Sequence, residues 1–375
     1  MRSDGVVRGI PMARPVIGDR EKELVMQVLD SRQLSLGPML TRFERAFAER
    51  IGTRHAIACS SGTAALHMCL HAAGVGPGDE VITSSFSFVA SANAALFTGA
   101  DVRFAEVDPR TFNMDPAAVE AAITPRTKAI EIVDIFGYPA EIPALKAIAE
   151  KHGLAVVEDA CQSIDGAYDG RKLGTWGHPA VYGFYANKQL TTAEGGLILL
   201  DDDELARVLS SLTNQGRSDD GAWLVHSRLG FNYRMSDVHA AIGVAQLERL
   251  DDLQAGRARV AGWYQQRVAG IEGVTPMYEG PQVRSWFVYA PRLDASIDRD
   301  AVIVALNARG VQAKPYLPSI HLQPFYRERF GYEPGHLPVT EAIASSTVAL
   351  PFFPEMTEEQ VDAVCGVLKD VLAAR

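Results

Sequence analysis

Four short stretches of the chain carry residues that could do chemistry. In "AVYGFYANKQLTTAEGGLILL", residues 180–200, an apolar and aromatic run leads to one lysine, Lys188, and a glycine-rich turn follows at once. A lysine there is poorly placed to solubilise a surface. It snorkels, meets a carboxylate, or acts as a desolvated nucleophile that forms a Schiff base. In "LAVVEDACQS", Glu158 and Asp159 end a very apolar segment. A carboxylate at that depth needs a cation or strong donors. Asp159 therefore reads as a helix cap or as the partner of a protonated ring nitrogen. In "CSSGTAALH", Ser60 to Thr63 stand where a helix begins. Such an N-terminus favours an anion, phosphate above all, although serine and threonine also cap ordinary helices. In "SSFSFVASAN", Phe86 and Phe88 sit in a small-residue turn. An aromatic there packs into the core or stacks on a planar ring.

Taken together the four form one parts list. A phosphate seat, a stacking ring, a carboxylate for a pyridinium nitrogen and a Schiff-base lysine are what pyridoxal 5′-phosphate (PLP) requires. They come in the chain order expected when successive loops of one sheet face one pocket. No GxGxxG follows the first strand and no GxxxxGK[ST] occurs, so glycine-rich nucleotide cradles fit less well.

The elements that must position these residues alternate. Residues 19–50 read as helical, with apolar residues at helical spacing. Then "HAIACS", "DEVITSS", "DVRFAEV", "TKAIEIVDIF" and "LAVVEDA" read as strands. Helices opened by small polar residues or proline stand between them. "HPAVYGFYA" and "GGLILLD" follow as strands, then the helix "DELARVLSSLTNQG". This alternation predicts an α/β domain with a mostly parallel sheet sandwiched by helices, and ligands then bind at the carboxyl ends of its strands. "SDVHAAIGVAQLERLDDLQAGRARVAGWYQQRVAGI" reads as a long helix, straight or kinked. From about 275 the pattern is α+β, with "SWFVYAPRLD" and "VQAKPYL" as strands. The expected division is a large domain over 1–250, with an N-terminal helical segment, and a small C-terminal α+β domain over 251–375.

Composition narrows the classes. About half of the 375 residues are apolar, enough for a large core, and 36 basic against 46 acidic residues leave a formal net charge of −10. That balance disfavours nucleic-acid and anionic-membrane partners. Cys59, Cys69, Cys161 and Cys365 form no CxxC pair and no zinc-ligand spacing, so free thiols in a reducing compartment and no metal are expected. "MRSDGVVRGIPMARP" lacks the apolar core of a signal peptide, which makes the cytoplasm the expected location.

Longer motifs carry a resemblance. "SSGTAALHMCL", "GPGDEVITSSFSFVASANAALFTGADVRFAEVDPRTFNMDP", "VVEDACQSIDGAYDGRKLGTWG", "NKQLTTAEGG", "GFNYRMSDVHAAIGVAQLERL" and "HLQPFY" together resemble the DegT/DnrJ/EryC1/StrS family of sugar aminotransferases, from about residue 9 to the C-terminus. The resemblance implies a fold-type I PLP enzyme that works as a homodimer with shared active sites. It makes Lys188 the Schiff-base lysine and proton carrier, with pyridoxamine 5′-phosphate as the intermediate cofactor form. Asp159 matches the partner of the pyridine nitrogen, Gln162 the neighbour of the phenolic oxygen, and Phe88 the stacking ring. Gly62 and Thr63 match the phosphate turn, and Asn232 a residue reaching the phosphate from the neighbouring subunit. Glu194, Arg234, Tyr316 and His321 fall in segments on the substrate side.

Two positions depart from the family pattern. Many relatives carry a phosphate-binding serine five residues before the lysine, where this chain has Gly183, so Tyr182, Tyr185 or water would have to replace it. Many carry histidine where "DIFGYPAEIP" has Asp134, which could change the pocket's charge. The context "KQLTTAEGG" resembles family members that act at carbon 4 of the sugar, of the GDP-perosamine synthase type. The expected reaction moves an amino group from L-glutamate, with glutamine as the other donor, to a nucleotide-linked keto sugar, foremost a 4-keto-6-deoxyhexose. The alternatives are a 3-keto sugar or cyclitol acceptor, a sugar dehydratase (which Lys188 opposes), and a non-catalytic sensor of PLP or sugar nucleotide.

Overall fold

A computed structural model describes residues 9–218 and 223–374. Residues 1–8 of "MRSDGVVRGIPMARP", the stretch that lacks a signal peptide's apolar core, lie outside the described residues. Helices α1 (Asp19–Ser31) and α2 (Pro38–Ile51) precede β1 (His55–Cys59), α3 (Gly62–Ala72), β2 (Glu80–Ser84), α4 (Val89–Phe97), β3 (Asp101–Ala105), α5 (Pro116–Ala122), β4 (Thr127–Val133), α6 (Ile142–His152) and β5 (Ala155–Asp159). A small hairpin, β6 (Ala167–Tyr168) with β7 (Arg171–Lys172), leads to β8 (Ala180–Gly183), β9 (Gly196–Leu200) and α7 (Asp203–Thr213). The remainder is α8 (Asp237–Glu248), α9 (Leu250–Val268), β10 (Val274–Thr275), β11 (Arg292–Leu293), α10 (Arg299–Ala308), α11 (Pro324–Phe330), α12 (Pro338–Ser346) and α13 (Glu358–Ala373).

Seven strands form one sheet in the order β1-β9-β8-β5-β4-β2-β3. Strands β8, β5, β4, β2 and β3 run parallel, and β9 is antiparallel to both of its neighbours. The strands are short and apolar because helices cover both faces. Val81, Ala129 and Val157 face the layer of α3 and α4, while Ile82, Ile130 and Ile132 face the layer of α5 and α6. The period-2 rule then sends Asp159 to the first face and Glu158 to the second. A separate core joins α9, α10 and α13 and also takes in Ile10, Phe86, Phe112 and Phe136. Among the described residues no helix is long and apolar enough to cross a membrane.

Two expectations fail in the second half of the chain. The long helix, read as straight or kinked, is fully divided into two, α8 and α9, broken at Arg249, whose φ is −122°. Helix α8 packs on α1 and α2 whereas α9 packs on α13, so the chain must turn between two cores. Asp251 and Asp252 then sit in the first turn of α9, where the helix dipole favours them. "SWFVYAPRLD" and "VQAKPYL" form no long strands. They reduce to β11 and to isolated bridges such as Tyr289 to Leu350 and Lys314 to Ala349. Pro291 and Pro315 interrupt the runs, since proline cannot donate to a ladder.

Candidate active site

A cavity of about 350 Å³ opens where β2, β5 and β8 end. Gly62, Thr63, Phe88, Asp159, Gln162, Lys188, Glu194 and Tyr316 all lie on its wall. Asn232, Arg234 and His321 do not.

Each wall residue is delivered by a local cause. Ser61 caps α3 by accepting the Ala64 N–H at 3.1 Å. That leaves the amides of Gly62 and Thr63 at the helix start for an anion. A Cβ on Gly62 would meet Cys161 Sγ at 2.8 Å, so the turn has no room for a side chain there. Phe88 ends the β2 loop as the residue before α4 and is 60 % exposed, while Phe86 is buried against Phe112 and Phe136. The two phenylalanines of one motif thus divide between cavity and core.

Asp159 is buried and held on both oxygens. Its Oδ2 accepts from Ser91 Oγ at 2.8 Å and its Oδ1 from the Cys161 N–H at 3.1 Å. Ser91 is itself bonded to Ser87 at 2.8 Å. Neighbouring Glu158 points to the other face, where it accepts the Gly174 N–H at 2.9 Å and pairs with His178 at 2.8 Å. Gln162 accepts the Phe136 N–H on Oε1 at 2.9 Å, which leaves its NH2 group for the cavity. Phe136 holds a left-handed φ of 52°, and that bond helps to hold it there.

Lys188 lies in the turn between β8 and β9. Among the described residues its Nζ has no hydrogen-bond acceptor, and it sits 4.3 Å from the centre of the Phe287 ring. Burial lowers its proton affinity below that of an ordinary lysine. Cys161 and Asp159 oppose that shift, and the nearby cation Arg257 adds to it. Tyr316 accepts a bond from Asn187 at 3.1 Å, and burial pushes its hydroxyl up to about 12.

The three residues off the wall have other surroundings. His321 is wholly buried between Ser85, at 2.7 Å, and Glu341, at 3.1 Å, so it does not face the cavity as expected. The "HLQPFY" pattern locates the segment but not the direction of the ring. Arg234 donates to Asn214 at 2.9 Å, and Asn232 is exposed.

The departures also resolve. Tyr182 is turned away from the cavity, its hydroxyl donating to the Leu173 carbonyl at 3.0 Å, so it does not stand in for the serine. A Cβ on Gly183 would meet Cys161 Sγ at 3.1 Å: the thiol fills that space. Asp134 is buried off the cavity, where it accepts the Ala140 N–H at 2.8 Å. Burial, then the neighbouring Glu158, pushes its carboxyl well above the usual range. It does not line the pocket. Among the described residues no group of histidine, cysteine and carboxylate side chains could hold a metal.

Ser91, Arg257 and Phe287 were missed from sequence. Ser91 sits one helical turn beyond Phe88, which could have flagged it. Nothing in "QAGRARV" separates Arg257 from the outward Arg259.

The residues present fit PLP on three observations. The amine in the cavity has no hydrogen-bond acceptor, the α3 turn excludes a Cβ, and the Asp159 carboxylate lies under the same cavity. A sheet of this order carrying such a site defines a PLP-dependent transferase. Residues 15–369 match the DegT/DnrJ/EryC1/StrS aminotransferase family. The chain is 39% identical over 368 residues to GDP-perosamine synthase of Caulobacter vibrioides, covering 97% of this chain and 98% of that protein. It is 37% identical over 377 residues to the spore coat polysaccharide biosynthesis protein SpsC of Bacillus subtilis, covering 97% of each. The crystal structure of S. venezuelae DesV superposes with a TM-score of 0.91 at 32% identity, over 98% of this chain and 100% of that one. The chain belongs to the DegT/DnrJ/EryC1/StrS family and is a PLP-dependent sugar aminotransferase.

Proposed function

We propose that the protein transfers the amino group of L-glutamate to the keto carbon of a nucleotide-linked 4-keto-6-deoxyhexose. The similarity to a GDP-perosamine synthase along almost the whole chain supports that acceptor class. The site observation that carries the reading is the unbonded Lys188 amine facing a cavity that also holds Asp159 and the start of α3.

When bound, PLP supplies a carbonyl that captures amines and a protonated ring that withdraws electrons. In this reading Gly62 and Thr63 hold the phosphate through backbone amides. Asp159, fixed by Ser91, would keep the ring nitrogen protonated. Gln162 would offer its NH2 group to the ring oxygen, and Phe88 would cover the ring face. Lys188 would hold the cofactor through its carbonyl and would take and return the proton at the reacting carbon. Two chains form the working unit. Trp223, 83 % exposed, and Leu229, 82 % exposed, precede Asn232 on a surface suited to a second copy. Asn232 would then reach the partner's phosphate site.

The test is an amino-transfer assay on the purified protein with a panel of keto-sugar nucleotides and either L-glutamate or glutamine. Turnover with a 4-keto-6-deoxyhexose nucleotide, lost by at least about 10³-fold in Lys188→Ala, is expected. Turnover confined to a cyclitol ketone or a 3-keto sugar would overturn the acceptor. Ligand binding without turnover would favour a sensor.

A further inference from the structure

Arg257 is 4 % exposed, lies on α9 and has no carboxylate partner among the described residues. Its Nη1 donates to the Phe287 carbonyl at 3.0 Å. Its Nη2 donates to the Lys188 carbonyl at 3.0 Å and to that of Asn187 at 3.4 Å. Its Nε has no partner, and its guanidinium lies 5.7 Å from the centre of the Phe352 ring. An unpaired buried cation is costly, and a methionine would fill such a site more cheaply. The fork ties together two wall segments: the turn that carries Lys188 and the segment whose Phe287 ring lies under the amine. Asn187, held by the same Nη2, passes the constraint to Tyr316.

We propose that Arg257 is the positioning residue of Lys188: it fixes the lysine's backbone and the Phe287 ring in one frame and sets an unneutralised positive charge behind the amine. The proposal rests on Lys188 being the PLP-binding amine. The titratable groups around that amine are Asp159 and Cys161 after β5, Tyr185 and Glu194 from the β8–β9 turn, and Tyr316 across the cavity. Asp159 and Cys161 favour the protonated amine, while burial and Arg257 favour the neutral one. The neutral amine is the nucleophile. Arg257 is therefore placed to keep Lys188 reactive while the carboxylate needed for the ring stands in the same cavity. Its guanidinium has itself been brought down to about 10 by burial, and it stays charged at neutral pH.

Charge and geometry can be separated. Protein stripped of cofactor is mixed with PLP, and the rate of capture is followed by absorbance against pH for the wild type, Arg257→Lys and Arg257→Met. Arg257→Met removes the charge and should move the capture midpoint up by about half to one pH unit. Arg257→Lys keeps the charge but cannot span two carbonyls. Its midpoint should stay within about 0.3 unit while its PLP affinity falls about five- to tenfold. Circular dichroism checks that each variant folds, and Arg257→Gln replaces Arg257→Met if that one does not. An unmoved midpoint in the uncharged variant, or equal shifts in Arg257→Lys and Arg257→Met, would overturn the proposal while Lys188 keeps its role. PLP capture that persists in Lys188→Ala would overturn both.

Discussion

Restoring a hydroxyl at position 183 should fail alone and succeed once Cys161 is trimmed. A Cβ built on Gly183 lies 3.1 Å from Cys161 Sγ and 3.4 Å from its Cβ. The thiol must shift by a few tenths of an ångström to admit it, and it sits in the same narrow space that excludes a Cβ from Gly62. One tight contact belongs at the low end of overpacking costs, about 1 kcal/mol, which weakens PLP binding by about fivefold. In Cys161→Ala the space is free. A serine at 183 could then donate to the phosphate, a bond to a charged group worth about 1.5–3 kcal/mol, or roughly 10- to 100-fold in affinity. PLP dissociation constants measured by fluorescence titration on wild type, Gly183→Ser, Cys161→Ala and the double variant close the cycle. The expected coupling is about 2 kcal/mol or more. If the four values add within about 0.5 kcal/mol, or if Gly183→Ser alone tightens binding, the account of the thiol as filler is wrong.

Three further outcomes follow from the geometry. Ser91→Ala removes the donor to Asp159 Oδ2 and should weaken PLP binding by about tenfold, measured by the same titration; unchanged affinity would mean that Asp159 needs no holder. Lys188→Met, free of cofactor, should raise the melting temperature at pH 7–8 by on the order of 1–3 °C. The native lysine's proton affinity is lowered, so the unfolded chain binds more protons and stability rises with pH towards 10.5; the gain from Lys188→Met must shrink over that range. Gly62→Ala drives a Cβ to 2.8 Å from Cys161 Sγ and should cost about 1–3 kcal/mol in a denaturant melt, most of it recovered by adding Cys161→Ala.

The α/β half was legible because its information is local. "LAVVEDA" and its neighbours are apolar runs between helix caps, and β1, β5 and β9 fall where those runs predict them. Lys188, Asp159 and the start of α3 were legible for a related reason: charged or small residues interrupt apolar runs at strand ends. The second half was less so. The break at Arg249 answers to which core each helix must cover, and Asp251 and Asp252 in "LERLDDL" are only a weak local sign of a new helix start. His321 and Asp134 show the same limit at single residues. Both looked like pocket groups by position, yet each points into the protein to meet backbone or side-chain partners supplied by distant segments. Arg257 lies 69 residues from the Lys188 carbonyl it holds, and only the fold brings them together.

The antiparallel strand β9 explains why the lysine can sit where it does. In the parallel part of the sheet, each strand end leads into a crossover that carries the chain away over one face. Strand β8 instead returns directly through β9, paired from Ala180 with Leu199 to Gly183 with Gly196. The turn between them, residues 184–195, therefore stays over the strand ends and can present an amine to the carboxylate that ends β5, the strand next to β8. Such a turn has no helix to stiffen it. Its rigidity must come from bonds to its backbone: Lys188 N–H to Tyr185 O at 2.9 Å, Thr192 N–H to Phe184 O at 3.0 Å, and the Arg257 fork from outside the sheet. Gly196 closes the turn because a Cβ there would lie 2.3 Å from the Ser61 carbonyl group. The phosphate turn and the lysine turn thus press on each other through backbone alone. A bulkier residue at 196 would displace both ends of the site at once, whereas substitutions at Glu194, solvent-exposed on the cavity wall, should leave PLP binding intact and report on the sugar alone.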